Sequence, residues 1–412
     1  MANRCHEIDP DGDVELILRN PDAPFAEWDE NFLVEYVPSL LEIPEPVATQ
    51  DFRESTRKPK KKKGKNSKPI IRLFRSLDPG NESVTCPEVP EPVPEPAPEQ
   101  PEPEPEPPAH EPEPVGDDVK TRSSSQSRDA AHSAEDVEVH MQLSSKHLML
   151  ASVVFKKMLQ GPWEESRTHT MEASDWDAEA LLILMNIIHG RNRAVPRSIS
   201  LEMLAKIAVL VDYYQCHEAV ELFAACWTQN LSPLPKEYCR DLTLWISISW
   251  VFYRKDLFET LTKVAIKETA GPLQTLGLPI PQHIVEVIDQ QRQETINDII
   301  SGLHTLVSYF HIRSKCTFEC SSILLGALTK QMQIKGLLEP KPKRPFLGHS
   351  VAGTTAIVCD FKTPNWTVPG SYYSHGCKLE SFMDTTIKSF TDGVNGLQLD
   401  EFCRDYVSMT GR

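Results

Sequence analysis

Sulfur and imidazole give this chain its first candidate chemistry. Cys316-x-x-x-Cys320 begins five residues after His311, and Cys359, His375, Cys377 and Cys403 follow. Thiolates and imidazoles are the ligand types of a tetrahedral zinc site. The spacing argues the other way, because structural zinc knuckles favour short, turn-held C-x-x-C pairs. Cys320 instead opens an apolar helical pattern and suits a buried small hydrophobe. On this reading no residue is assigned as a metal ligand and no cofactor is expected. His147, His189 and His217 each sit beside apolar residues in helical patterns, where core or capping roles fit better than ligation or base catalysis. The acidic pairs Glu164-Glu165 and Asp175/Asp177 fall in a turn and at a helix cap. The chain has no phosphate-cradling glycine loop, no G-x-S-x-G elbow and no His-Glu pair at zincin spacing. It reads as a protein without catalytic residues, not an enzyme.

Charge is concentrated in one region. The run from Arg57 to Lys68 contains Lys60, Lys61, Lys62 and Lys63, read as a nuclear import signal, with a phosphate or acidic-lipid contact and a solvated spacer as the competing readings. The following "IIRLFRSL" has the make-up of a short partner-docking helix or membrane-surface segment that would fold only on binding. Next comes "CPEVPEPVPEPAPEQPEPEPEPPAHEPEPVGDD", expected as a self-repelling polyproline II rod on the order of 90 Å long at full stretch, and then "KTRSSSQSRDAAHSAED". None of these segments has the apolar content to offset the entropy of ordering its backbone. The net charge of −16 is weighted toward the Pro/Glu tract, so the folded part lacks the basic face of a nucleic-acid binder. There is no N-terminal apolar leader, and "LTLWISISWVF" is too short to span a bilayer. Ten scattered cysteines read as reduced thiols. These features predict a soluble intracellular protein, with the nucleus favoured over the cytoplasm by the lysine run.

The elements that must carry any function begin at "VEVHMQLSSKHLMLASVVFKKMLQGPW". Val137, Val139, Met141 and Leu143 alternate with polar residues as a strand with one buried face. Ser144 or Ser145 then caps a helix with Leu148, Ala151, Phe155 and Leu159 on one side, stopped at Gly161-Pro162. A lone strand leaves its edges unpaired, and the partner is predicted far upstream at Val14, Leu16 and Leu18 in "DGDVELILRNPDAPF". The pair forms a hairpin whose loop has been inflated, which costs little because closure entropy grows only logarithmically. A short strand-like piece, "THTMEA", precedes helices in "SDWDAEALLILMNIIHG" (capped at Ser174), "ISLEMLAKIAVLVDYYQC" and "HEAVELFAACWTQNL". Two more follow in "EYCRDLTLWISISWVFYRKDLFETLTKVAIKE", with Asp256 as the cap between them. A long helix then starts near Pro281, and a polar gap at Gln290 to Glu294 predicts docking at both ends with a solvated middle. One further helix ends at Gly336, and no fold is assigned from Pro345 onward.

In this order, "GDVELILRNPDAPF", "SSKHLMLASVVFKKML", "DWDAEALLILMNIIHGRNRAVP" and "LEMLAKIAVLVDYYQCHEAVELFA" resemble the BTB/POZ domain, specifically that of fungal BTB-domain proteins. The resemblance implies an α+β fold: a small sheet capped by a helical cluster over residues 11–20 plus 136–231. A disordered basic and Pro/Glu-rich insert would occupy 21–135, a mainly α-helical extension 235–338, and an unassigned tail 339–412. It further implies a non-enzymatic protein-interaction module that dimerises or joins a substrate to a cullin ubiquitin ligase. The partners expected are therefore proteins, a second copy of the chain and a cullin among them, with no membrane span and no nucleic acid on the folded part. The alternative is a nuclear chromatin-associated scaffold whose charged insert contacts nucleic acid or histones. Val14, Glu15 and Leu16 are predicted to form the interaction edge, since the neighbouring loop tolerates an insert.

Overall fold

The computed structural model describes residues 4–21, 23–33, 138–313, 316–367 and 375–402. The Lys60 to Lys63 run, "IIRLFRSL" and the Pro/Glu tract lie outside the described residues.

Four strands make one sheet: β1 (Arg4–Glu7), β2 (Val14–Arg19), β3 (Glu138–Leu143) and β4 (Thr170–Ser174), in the order β1-β3-β2-β4. The inflated hairpin is present. β2 and β3 run antiparallel, with Val14 opposite Leu143, Leu16 opposite Met141 and Leu18 opposite Val139. All six of these side chains are buried, because the period-2 alternation of both strands puts its apolar set on the same face. The outward set forms a polar lattice instead. Arg19 reaches Glu138 at 3.1 Å and forks onto both carboxylate oxygens of Glu172, and His140 Nδ1 lies 2.8 Å from Glu15. β1 adds parallel to β3 and β4 parallel to β2, two pairings that alternation alone did not reveal.

The helix after β3 is two helices, α1 (Ser145–Ala151) and α2 (Val153–Gln160). Ser152 breaks the run: its hydroxyl oxygen accepts from the amides of Val154 and Phe155 while its proton goes to the Tyr214 carbonyl at 2.5 Å. The expected cap of α1 by its own serine is replaced by one from before β2. Asp13 accepts from the Ser145 amide at 2.8 Å and its hydroxyl at 2.7 Å, and these bonds hold its carboxyl below the usual range. A one-turn helix, α3 (Glu165–Thr168), leads into β4. Helices α4 (Ala178–Ile188), α5 (Leu201–Tyr214) and α6 (His217–Asn230) then pack over the buried face of the sheet. The N-cap of α4 is Asp177, accepting from Ala180, not Ser174. Leu184 and Phe155 are buried in one cluster, and Phe223 packs against it.

That cluster continues without a break into α7 (Arg240–Val251) and α8 (Lys255–Glu268). Asp256 stands in the first turn of α8, and Arg254 occupies the cap. Residues 23–33, expected in the insert, pack here: Arg240 donates to the carbonyls of Phe25 and Ala26, and Gln274 donates to that of Asp29. Trp28 meets Tyr238 edge-on at 5.2 Å. The rule that Pro-flanked, mixed-polarity segments are loops holds for this stretch, but a loop can still be pinned by its backbone carbonyls.

Helix α9 (Gln282–Ile312) joins this core to a second one. Ile284, Val285 and Ile288 face the first cluster, and Ile296, Ile299, Ile300, Leu303 and Phe310 face the second. The middle is solvated on one side only: Gln290 and Glu294 are exposed, whereas Arg292 is buried. Arg292 is 0% exposed and spends all five of its N–H donors: Nε and Nη2 on Asp289 Oδ1 (2.9 and 2.7 Å), Nη2 again on the Pro345 carbonyl (2.7 Å), and Nη1 on the carbonyls of Phe346 (3.1 Å) and His349 (2.9 Å). Arg292, within the polar gap, is therefore a buried clamp on the segment that follows α10 (Phe318–Ile334). The tail that carried no sequence assignment contains α11 (Val351–Cys359) and α12 (Leu379–Thr391), whose Val351, Val358, Leu379, Met383 and Ile387 complete the second cluster.

Candidate functional site

Val14, Glu15 and Leu16 do not lie at an edge of the sheet. β2 is hydrogen-bonded on both sides, to β3 and to β4, so its backbone has no free row of donors and acceptors for a partner strand. Its apolar residues face the core, and Glu15 belongs to the outward lattice through His140. The sequence argument failed because it knew of only one pairing partner. The sheet ends instead at β1 and β4. Three of the four β1 residues are exposed, and the strand end is tied down where Arg191 Nη1 donates to the carbonyls of Glu7 (2.8 Å) and Ile8 (3.1 Å).

Apolar side chains also reach solvent just after β3. Leu150, Val153 and Trp163 are 88%, 52% and 61% exposed. They stand off the three-and-four-spaced stripe of α1 and α2, so the sequence offered a signal: large apolar residues outside the buried face. A cleft of about 260 Å³ lies between Phe25, Trp176, Lys206 and Leu278. Its ammonium is already committed. Lys206 pairs with Asp177 at 2.9 Å and Glu202 at 3.1 Å; burial pulls its pKa down, but these bonds outweigh that and hold it above the usual range.

A strand-rich start, a helical cap and exposed apolar residues beside the sheet fit a surface that meets another protein. The family model of the BTB/POZ domain matches residues 120–231. This segment is similar to the BTB/POZ domain. The BTB/POZ family is one of protein-interaction modules, generally without enzymatic activity. No curated protein matches the chain. The matched span holds β3, β4 and α1 to α6, while β1 and β2 precede it, so the sheet is completed by strands from outside the matched residues. Among the described residues no helix is long and apolar enough to cross a membrane.

Three histidines of the matched residues take structural positions. His189 caps α4: its Nδ1 donates to the Met185 carbonyl at 2.8 Å and its Nε2 accepts from the Ser144 amide at 2.9 Å. Burial lowers its pKa, and the His147 ring lies 5.1 Å away. Burial depresses His217, which opens α6, to about 4.

Some of the cysteines beyond the matched residues converge. Cys316, Cys320, His375 and Cys377 converge, their ligand atoms all within 4.8 Å of one another. Cys316 stands just before the α10 N-cap, Thr317, whose hydroxyl accepts from the Cys320 amide at 3.2 Å. His375 and Cys377 precede the start of α12. Their segment is fixed by the His375 amide donating to the Trp366 carbonyl (3.1 Å) and the Leu379 amide donating to Thr363 Oγ1 (2.6 Å). The Nε2 atom of His375 is buried with no hydrogen-bond partner. Cys359 is exposed on α11 and stands apart from the group, as does His311; Cys403 lies outside the described residues. Cys320 is buried, as its apolar helical setting suggested, and it also lies beside three other potential ligands. Distance in sequence hid the convergence.

Proposed function

We propose that the chain is a non-catalytic interaction protein that self-associates through its BTB/POZ domain, using the face that carries Leu150, Val153 and Trp163. The exposure of these three apolar side chains within the matched residues carries the reading. A specific dimer needs roughly 800 Å² buried on each partner with an apolar centre, and a centre of this kind is what Leu150 and Trp163 would supply. Light scattering behind gel filtration on the full chain tests it. A dimer mass that falls to the monomer in Leu150→Asp and Trp163→Asp supports the reading. A wild-type monomer at micromolar concentration refutes it. Affinity purification with mass spectrometry adds the adaptor reading: recovery of a cullin, lost in the same variants, makes this face the ligase contact. Recovery of chromatin components that survives both variants would move the function to the charged insert.

Lys60, Lys61, Lys62 and Lys63 form a run of adjacent positive charge, the pattern read by import receptors. In this reading it directs an intracellular protein to the nucleus. Replacing the four lysines with alanine is expected to shift a fluorescent fusion to the cytoplasm without changing the partners recovered.

A further inference from the structure

We propose that Cys316, Cys320, His375 and Cys377 form a structural zinc site. The donors are three sulfurs and one imidazole, the set that zinc takes in closed four-coordinate sites with no position left for substrate. The space is right for one ion. Zinc at about 2.3 Å from sulfur and 2.0–2.1 Å from nitrogen gives tetrahedral ligand-to-ligand edges of roughly 3.5–3.8 Å, and all four ligand atoms lie within 4.8 Å of one another. A two-iron cluster spreads its ligands over separate metal atoms, which so tight a group does not accommodate.

The surroundings favour an ion over a chance meeting of side chains. The pairs arrive from two separate segments, Cys316/Cys320 at the start of the 17-residue α10 and His375/Cys377 just ahead of the 13-residue α12. Both helix N-termini present partial positive charge to what would be thiolates. His375 Nε2 is buried without a partner, an arrangement that costs free energy unless something completes it. The three cysteines are free, with no disulfide among them. Binding would release the thiol protons to solvent and leave three thiolates and a neutral imidazole around Zn²⁺, with no change of oxidation state. The ion would fasten the segment before α12 to the first turn of α10, closing the second core, where Cys320 and Leu379 are already buried together.

The test uses the full chain purified under reducing conditions. Mass-spectrometric metal analysis should find one zinc per chain retained through gel filtration. After chelator treatment, titration with Co²⁺ should produce the intense visible bands of tetrahedral cobalt-thiolate coordination, saturating at one equivalent. Cys320→Ser and Cys377→Ser should lose the retained metal, and Cys359→Ser should keep it. The cobalt titration is read on the wild-type chain, so it decides the matter even if a variant fails to fold. Absence of tetrahedral bands, iron in place of zinc, equal zinc in the Cys320→Ser/Cys377→Ser double variant, or a Cys316–Cys320 disulfide in the alkylated peptide map would each overturn the assignment.

Discussion

Replacing Arg292 with alanine removes a buried cation whose every donor is in use. Five hydrogen bonds disappear, and the carboxylate of Asp289 and the carbonyls of Pro345, Phe346 and His349 lose their guanidinium partner. Each stranded buried acceptor costs about 1–3 kcal/mol, and breaking a buried ion pair by deleting one member costs about 3–5 kcal/mol. These figures overlap, because Asp289 keeps its bond to Gln293 at 2.6 Å and water can enter the space vacated. The expected loss is about 3–5 kcal/mol in all. Urea unfolding of wild type and Arg292→Ala at pH 7.5 measures it, and hydrogen exchange localises it to residues 345–351. Arg292→Lys should lose less, since an ammonium carries three donors and reaches fewer of the acceptors. A loss under about 1 kcal/mol, the range of a surface pair, would mean that the segment after α10 does not depend on the guanidinium and that the clamp argument fails.

Leu184→Ala, at a fully buried site of the first core, should cost about 2–5 kcal/mol in the same assay; a value near zero would put that face of α4 in solvent. Ser152→Ala should cost about 1–2 kcal/mol, from the α2 cap and the bond to the Tyr214 carbonyl, with Ser152→Thr as a check on the hydroxyl. Acid should weaken the fold through His217 and His189. Their folded pKa values lie below the unfolded value of about 6.5, so the stability they carry is complete above that pH and is lost as pH falls toward 4. For His217 the full effect is roughly 3 kcal/mol, and His217→Gln should flatten the slope of stability between about pH 6.5 and 4.5. Glu15→Lys should change stability by less than about 1 kcal/mol and leave association intact, because Glu15 is a solvent-facing member of an inner strand.

Period told more than spacing did. The two alternating strands found each other across a very long separation because both had an apolar face needing cover, and a three-and-four repeat placed α4, α5 and α6 in order. Local chemistry was less legible. Asp13, far off in sequence, supplies the capping oxygen of α1 in place of the adjacent serine, a choice made by tertiary position, whereas α4 is capped locally by Asp177 because Ser174 is still in β4. Arg292 looked solvated because a charge inside a polar stretch usually is, and only the carbonyls of a segment distant in sequence reveal its burial. The β1 pairing was invisible for a related reason: an exposed strand of four residues has no alternation to show. Cys320 and Cys377 belong to one group for reasons written in the packing of α10 and α12, not in any motif.

The pairing of β2 with β3 has a consequence for synthesis. Arg19 and Glu138 touch across 119 positions of chain. A ribosome adding about 5–20 residues per second needs on the order of 6 to 24 seconds to cover that distance, whereas an ordinary hairpin closes in about 1–10 microseconds. Elongation, not chain diffusion, therefore sets the earliest moment at which the sheet can form. Throughout that wait Val14, Leu16 and Leu18 have left the ribosome as an apolar strand whose antiparallel partner has not been made, and β4 comes later still. Any messenger cut short before the codon for Glu138 yields a product that can never bury its first strands against β3.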